Sequence, residues 1–112
     1  MYMIDAVIRP SALDDVMEKL HQAGIFGCTA IETKGFGKQR GHCERYRGGD
    51  MEVGFIPKIM LKICVSQDFK DACIKAIQDG ACKGNTGDGK IFVYPVSQVI
   101  RIRTGETDHD AL

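Results

Sequence analysis

Residues 57–65, Pro57-Lys-Ile-Met-Leu-Lys-Ile-Cys-Val65, decide the reading of the fold. Ile59, Leu61, Ile63 and Val65 recur at every second position, the period of a strand that buries one face. Lys58, Lys62 and Cys64 fall on the opposite face. Downstream, Phe69, Ala72, Cys73, Ala76 and Ile77 recur at helical spacing, and Gly80 reads as the close of that helix. A Gly-rich turn (Gly84, Gly87, Gly89) leads into a short strand, Lys90–Tyr94. An extended piece around Val99–Arg103 then places Arg101 and Arg103 on one face. The tail, 105–112, reads as polar, flexible and frayed.

Upstream the same alternation appears. Residues 2–9 read as a strand with Ile4, Ala6 and Ile8 on one face, stopped by Pro10. Ser11 reads as the N-cap of a helix carrying Leu13, Val16, Met17 and Leu20, which Gly24 ends. Residues 27–35 are β-leaning, with Thr29, Ile31 and Thr33 alternating. The stretch from about 37 to 55 has no periodicity, and a run of that kind inside a compact domain is usually functional or disordered. The order β-α-β, long loop, β-α-β is the ferredoxin-like α+β plan: an antiparallel four-stranded sheet with two helices on one face. The second sheet face needs a cover, which points to self-association.

With 112 residues the chain has room for one domain, 1–112, and one modest core. Fifteen basic residues balance fifteen acidic ones, so net charge gives no reason to expect nucleic acid or a membrane surface as partner. The start lacks the pattern of a signal peptide, and no apolar run approaches the roughly 20 residues of a membrane span. Both features predict a cytoplasmic protein. The five cysteines (Cys28, Cys43, Cys64, Cys73, Cys82) are odd in number and contain no C-x-x-C pair. They read as small buried hydrophobes rather than a disulfide framework or zinc site, with Cys43 in the loop set apart. No Ser-His-Asp arrangement stands out, and His21, His42 and His109 do not cluster, so the chain does not read as an enzyme.

Three constellations suit an anion. Gly84-Asn-Thr-Gly-Asp-Gly89-Lys90 matches the glycine and lysine spacing of a phosphate-binding P-loop. Ile91 stands where that motif needs Ser or Thr, and a strand rather than a helix follows. What survives is a turn whose backbone N–H groups can nest an anion beside Lys90; a plain hairpin turn reads equally well. Arg101 and Arg103 suit phosphate, although by themselves they read more readily as a charged edge strand. Gly35-Phe-Gly-Lys-Gln-Arg-Gly-His42 combines permissive backbone with cations at the loop entrance. RNA binding in the manner of ferredoxin-like sheets needs stacking aromatics on the inner strands, and Met3–Ile8 and Met60–Cys64 have none.

Together these stretches resemble the PII nitrogen-regulatory family over nearly the whole chain. The resemblance is carried by Lys34–His42, Glu44–Gly48, Phe55–Lys58, Gly87–Val93 and Val99–Glu106. It implies a homotrimer with a long T-loop between strands 2 and 3 of the sheet. ATP or ADP would bind between subunits, with Gly87, Asp88, Gly89 and Lys90 on the phosphates and Arg101 and Arg103 reaching in from the neighbour. Thr29 and Cys64 would contact the adenine, and Gly35, Gly37, Lys38 and Gln39 would lie at the loop base. 2-Oxoglutarate would bind beside Mg-ATP, using Gly37, Lys38, Gln39, Arg40, Gly41 and Lys58, with Gln39 near the magnesium. Tyr46, Arg47 and Gly48 would face a protein target, an ammonium transporter or a metabolic enzyme, and a transporter would recruit the protein to the membrane.

Three positions depart from the family pattern. Met51 and Gly49 replace the tyrosine and serine that members modify, so neither modification can occur at those sites. Lys62 stands where Glu is usual, next to the ribose, and predicts an unusually cationic cleft or a lysine turned to solvent. The alternative implied is a PII-like sensor of ADP, AMP or another anion, without a 2-oxoglutarate response. A small ATPase and an RNA-binding module are the competing readings outside the sensor class.

Overall fold

A computed structural model of the chain describes residues 1–37, the backbone of 44–45, and 54–112. Its elements in order are β1 (Tyr2–Ile8), α1 (Leu13–Gln22), β2 (Thr29–Phe36), β3 (Glu44–Arg45), β4 (Gly54–Val65), α2 (Gln67–Ala81) and β5 (Gly89–Pro95). The strands run in the order β2-β4-β1-β5, with β3 paired to β4, and every pairing is antiparallel. This is the ferredoxin-like sheet that the alternating pattern predicts.

The core lies between one sheet face and the helices. Ile4, Ala6 and Ile8 of β1 and Leu61, Ile63 and Val65 of β4 are buried against Val16 and Leu20 of α1 and Cys73, Ala76 and Ile77 of α2. The opposite face carries Met3, Asp5, Val7, Met60, Lys62 and Cys64, the alternate positions of β1 and β4. Ile31, Phe92 and Tyr94, at matching ladder positions on β2 and β5, are exposed.

Several details differ from the sequence reading. Ser11 is not a cap: Pro10 sets its own short 3-10 turn, Pro10–Ala12, and α1 follows from Ala12 with no side-chain cap. Gly80 does not end α2, which continues to Ala81. A Cβ there would sit 2.7 Å from Val16 Cα, so this glycine is a notch that lets α1 and α2 approach. The segment Val99–Arg103 is not a continuous strand. It is one arm of a hairpin, with Ile100 bridged to Thr107 and the Arg101 N–H donating to the Glu106 carbonyl at 2.9 Å. The tail accordingly folds back into a 3-10 turn, Asp108–Ala111, instead of fraying, because Gly105 takes the positive φ that the reversal needs. Gly24 does end α1 as expected, with φ +80° and the Ile25 N–H returning to the Leu20 carbonyl at 2.9 Å.

Strand β4 begins at Gly54, upstream of the expected start at Pro57. The β2–β4 ladder therefore runs on through Gly35–Ile56 to Phe36–Phe55, whose rings lie 6.2 Å apart. Pro57 is tolerated because β1 pairs with β4 only from Ile59 onward. The two strands make a stem that ends at the Phe36–Phe55 pair. Among the described residues Cys73 is buried, Cys28 and Cys64 are half-buried and Cys82 is exposed, all as free thiols. Burial pushes the Cys73 thiol up to about 11, which makes it a packing group rather than a nucleophile. Cys43 lies outside the described residues. No helix among them is long and apolar enough to cross a membrane.

Candidate functional site

One end of the open sheet face forms a cleft of about 460 Å³. Gly35 of β2, Lys58 of β4, Val7 of β1 and Lys90 and Phe92 of β5 supply its floor, and Phe36 and Gly37 lie at its border. Thr86 and Gly87 close it from the turn between α2 and β5. The alternation of each strand puts Gly35, Lys58, Val7, Lys90 and Phe92 on one face, and the antiparallel register brings them level.

The turn is built around Asp88. Its Oδ2 accepts the Lys83 N–H at 2.8 Å and the Asn85 N–H at 3.2 Å, while its own N–H donates to the Asn85 carbonyl at 3.2 Å. Arg9, at the end of β1, donates to the Thr86 carbonyl and places Nε 3.5 Å from Asp88 Oδ1, a buried oxygen that has no hydrogen bond. Lys58 Nζ donates to the Gly87 carbonyl at 2.7 Å, and its side chain is buried. The acceptor side of the turn is thus occupied by two cations. Lys90 adds a third at the cleft, with no ion pair among the described residues. Three cations around one inward carboxylate favour an anionic ligand.

The charges respond to this packing. The Lys83 N–H, with help from the Asn85 N–H and Arg9, holds the Asp88 carboxyl below the usual carboxylate range against some loss of hydration. Burial, and then repulsion from Arg9, lowers Lys58, with Asp88 opposing. A carboxyl depressed in the folded state stabilises it above its unfolded pKa, and that contribution is lost as pH falls through the folded value. Hydrogen exchange at Lys83 and Asn85 should therefore quicken selectively below the ordinary carboxylate range. In D88N it should be fast at neutral pH and lack this acid transition; an unchanged profile in D88N would remove Asp88 as the organiser.

The structure brings Gly35, Gly37, Lys58, Gly87, Gly89 and Lys90 to one cleft. Asp88 Oδ2 accepts backbone N–H groups of its own turn. Thr29 is exposed at the start of β2, opposite Lys62 in the ladder, and Cys64 is half-buried opposite Met3. Arg101 is taken by Glu106 Oε1 at 3.3 Å and the Leu112 carbonyl at 3.2 Å. Arg103 stands exposed near the hairpin tip with no ion pair among the described residues. Neither arginine lines the cleft of its own chain. Lys62 does not line this cleft: it lies four residues along β4 from Lys58, about 13 Å away, with its ammonium clamped by Asp5 at 3.0 Å and its side chain partly exposed. Lys38, Gln39, Arg40, Gly41, Tyr46, Arg47, Gly48, Gly49 and Met51 lie outside the described residues. Sequence reasoning missed Arg9 and the Asp5–Lys62 pair. Arg9 had only its place before Pro10 as a signal, and the pair emerges once the register is known. The described residues hold no group of three or more His, Cys, Asp or Glu suited to a metal.

The described residues combine a ferredoxin-like antiparallel sheet with a cation-lined cleft at the root of a strand stem. The nitrogen regulatory protein P-II family model matches residues 1–106, and the chain belongs to that family. It is 52% identical over its full length to the whole of nitrogen regulatory protein P-II from Pasteurella multocida. The same identity and coverage hold for nitrogen regulatory protein P-II of Klebsiella oxytoca and nitrogen regulatory protein P-II 1 of Escherichia coli K12. These relatives are named as regulators, not enzymes.

Proposed function

We propose that this chain is a nucleotide-gated regulator of nitrogen metabolism that acts as a cytoplasmic homotrimer. The observation that supports the reading is the meeting of Gly35 and Gly37, at the root of the β2–β4 stem, with Gly87 and Lys90 in one cationic cleft. A phosphate bound there touches the turn and the stem together, so it can bias what the stem carries.

In this reading ATP or ADP occupies the cleft with its phosphates on Gly87, Gly89 and Lys90. Asp88 holds the turn in shape behind them. Thr29 and Cys64 take the adenine, and Arg103 comes from a neighbouring copy. Arg101, held by Glu106, stiffens the hairpin that presents Arg103. Magnesium accompanies ATP near Gln39, and 2-oxoglutarate joins it through Lys58 and the backbone from Gly37 to Gly41. The ligand shifts the population of stem and loop states only by its differential affinity for them. A protein target, an ammonium transporter or a metabolic enzyme, reads the outcome through Tyr46, Arg47 and Gly48.

Calorimetric titration of ATP and ADP, with and without magnesium and 2-oxoglutarate, tests the reading. Nucleotide should bind tighter than about 1 mM, roughly 4 kcal/mol of affinity. Arg103→Ala should weaken it about tenfold or more, the loss of one charged hydrogen-bonding group, while the sedimenting mass is kept. Absence of any nucleotide heat, or a full-affinity Arg103→Ala, would overturn the assignment.

A further inference from the structure

Asp5, Lys62 and Tyr94 come from three adjacent strands, β1, β4 and β5, and meet on the open sheet face. Asp5 stands opposite Lys62 in the β1–β4 ladder. Lys62 Nζ lies 3.0 Å from each Asp5 carboxylate oxygen and 3.4 Å from the Tyr94 hydroxyl oxygen. The Tyr94 hydroxyl donates to Asp5 Oδ2 at 2.8 Å. An ammonium has three N–H donors and a phenol one, so every donor of the cluster is spent inside it and none is left for a ligand. That is the form polar groups take when they are to be covered: connected, satisfied and neutral as a set.

Their surroundings also call for a cover. Ile31 is 43% and Phe92 52% exposed on the same face, next to Met3 and Met60. We propose that Asp5, Lys62 and Tyr94 form a self-neutralising lock through which this face packs against copies of the same chain. The inference rests on the trimeric reading above and deepens it by naming the groups that make the face fit to bury. The charge balance selects the occupant. A basic or acidic partner gains no net attraction over the centre of this face, whereas a second copy meets apolar surface around a neutral set. The lock also removes the reason to expect Lys62 to draw phosphates: its charge is answered inside its own subunit.

Sedimentation of the full chain over a dilution series tests the lock. The wild type should sediment as a trimer. K62M and D5N each strand one charge beneath the interface and should raise the concentration for half-dissociation at least about tenfold. D5N/K62M removes both charges and should return to within about threefold of the wild type, because a pair deleted together costs little. Circular dichroism should be unchanged throughout, since these groups face away from the helices. Should D5N fail to fold, K62M and Y94F carry the comparison, both expected to weaken assembly. Single variants that assemble like the wild type would overturn the lock and leave the trimer standing. A wild type that sediments as one copy would overturn the trimeric reading, and the lock with it.

Discussion

Replacing Gly89 by alanine should lower the stability of the fold by about 3 kcal/mol or more, and nucleotide affinity should collapse with it. A Cβ at Gly89 would lie 1.8 Å from the Val7 carbonyl oxygen, and the residue holds φ +113°. Nothing flexible can move aside, because the obstacle is the backbone of β1 at the start of its ladder with β5. The internal control is Gly84→Ala. Gly84 has φ +75°, but its Cβ would meet nothing within 4 Å, so it should cost only the conformational penalty of about 1–2 kcal/mol. Urea unfolding of the two variants measures the difference. Equal losses would show that close approach of the turn to β1 does not hold the cleft together.

Lys58→Met should reduce nucleotide affinity between tenfold and a hundredfold, the equivalent of about 1.5–3 kcal/mol for one charged hydrogen bond, while the chain still folds. Methionine keeps an apolar stem beneath Gly35, whose Cβ position is 3.2 Å from Lys58 Cγ, but gives the Gly87 carbonyl no donor. Lys58→Arg should not rescue, because the slot is buried and its far end is closed by the turn. The ammonium is also charged at a cost. Its pKa is lowered in the folded state, so its contribution to stability rises as pH climbs through that lowered value toward the ordinary 10.5. In Lys58→Met that rise should vanish from the alkaline limb of the stability profile. A variant that binds nucleotide at full strength would show that Lys58 does not hold Gly87 in place for the phosphates.

Those two residues mark the limits of what the chain states openly. Period-two alternation exposed β1 and β4 and their buried Ile4, Ile8, Leu61 and Ile63, because burial of one face writes itself into neighbouring positions. The Gly87–Lys90 turn was legible for a similar reason: its chemistry is local. Gly80 was not, since a glycine that ends a helix and one that admits another helix look alike until Val16 is placed beside it. The hairpin 99–108 needed a pairing across a turn that no spacing announces. Lys62 shows the same limit in electrostatics. Read along the strand it adds charge to a cleft; read across the ladder it belongs to Asp5. Register is set by pairing and not by the residue itself.

The β2–β4 ladder that closes at Phe36–Phe55 holds both roots of the intervening segment one strand spacing apart, about 5 Å. It is a socket. Whatever is inserted there is tethered at both ends, and doubling its length adds only about 0.6 kcal/mol of closure entropy. The sheet and its cleft can therefore stay constant while the inserted piece is exchanged.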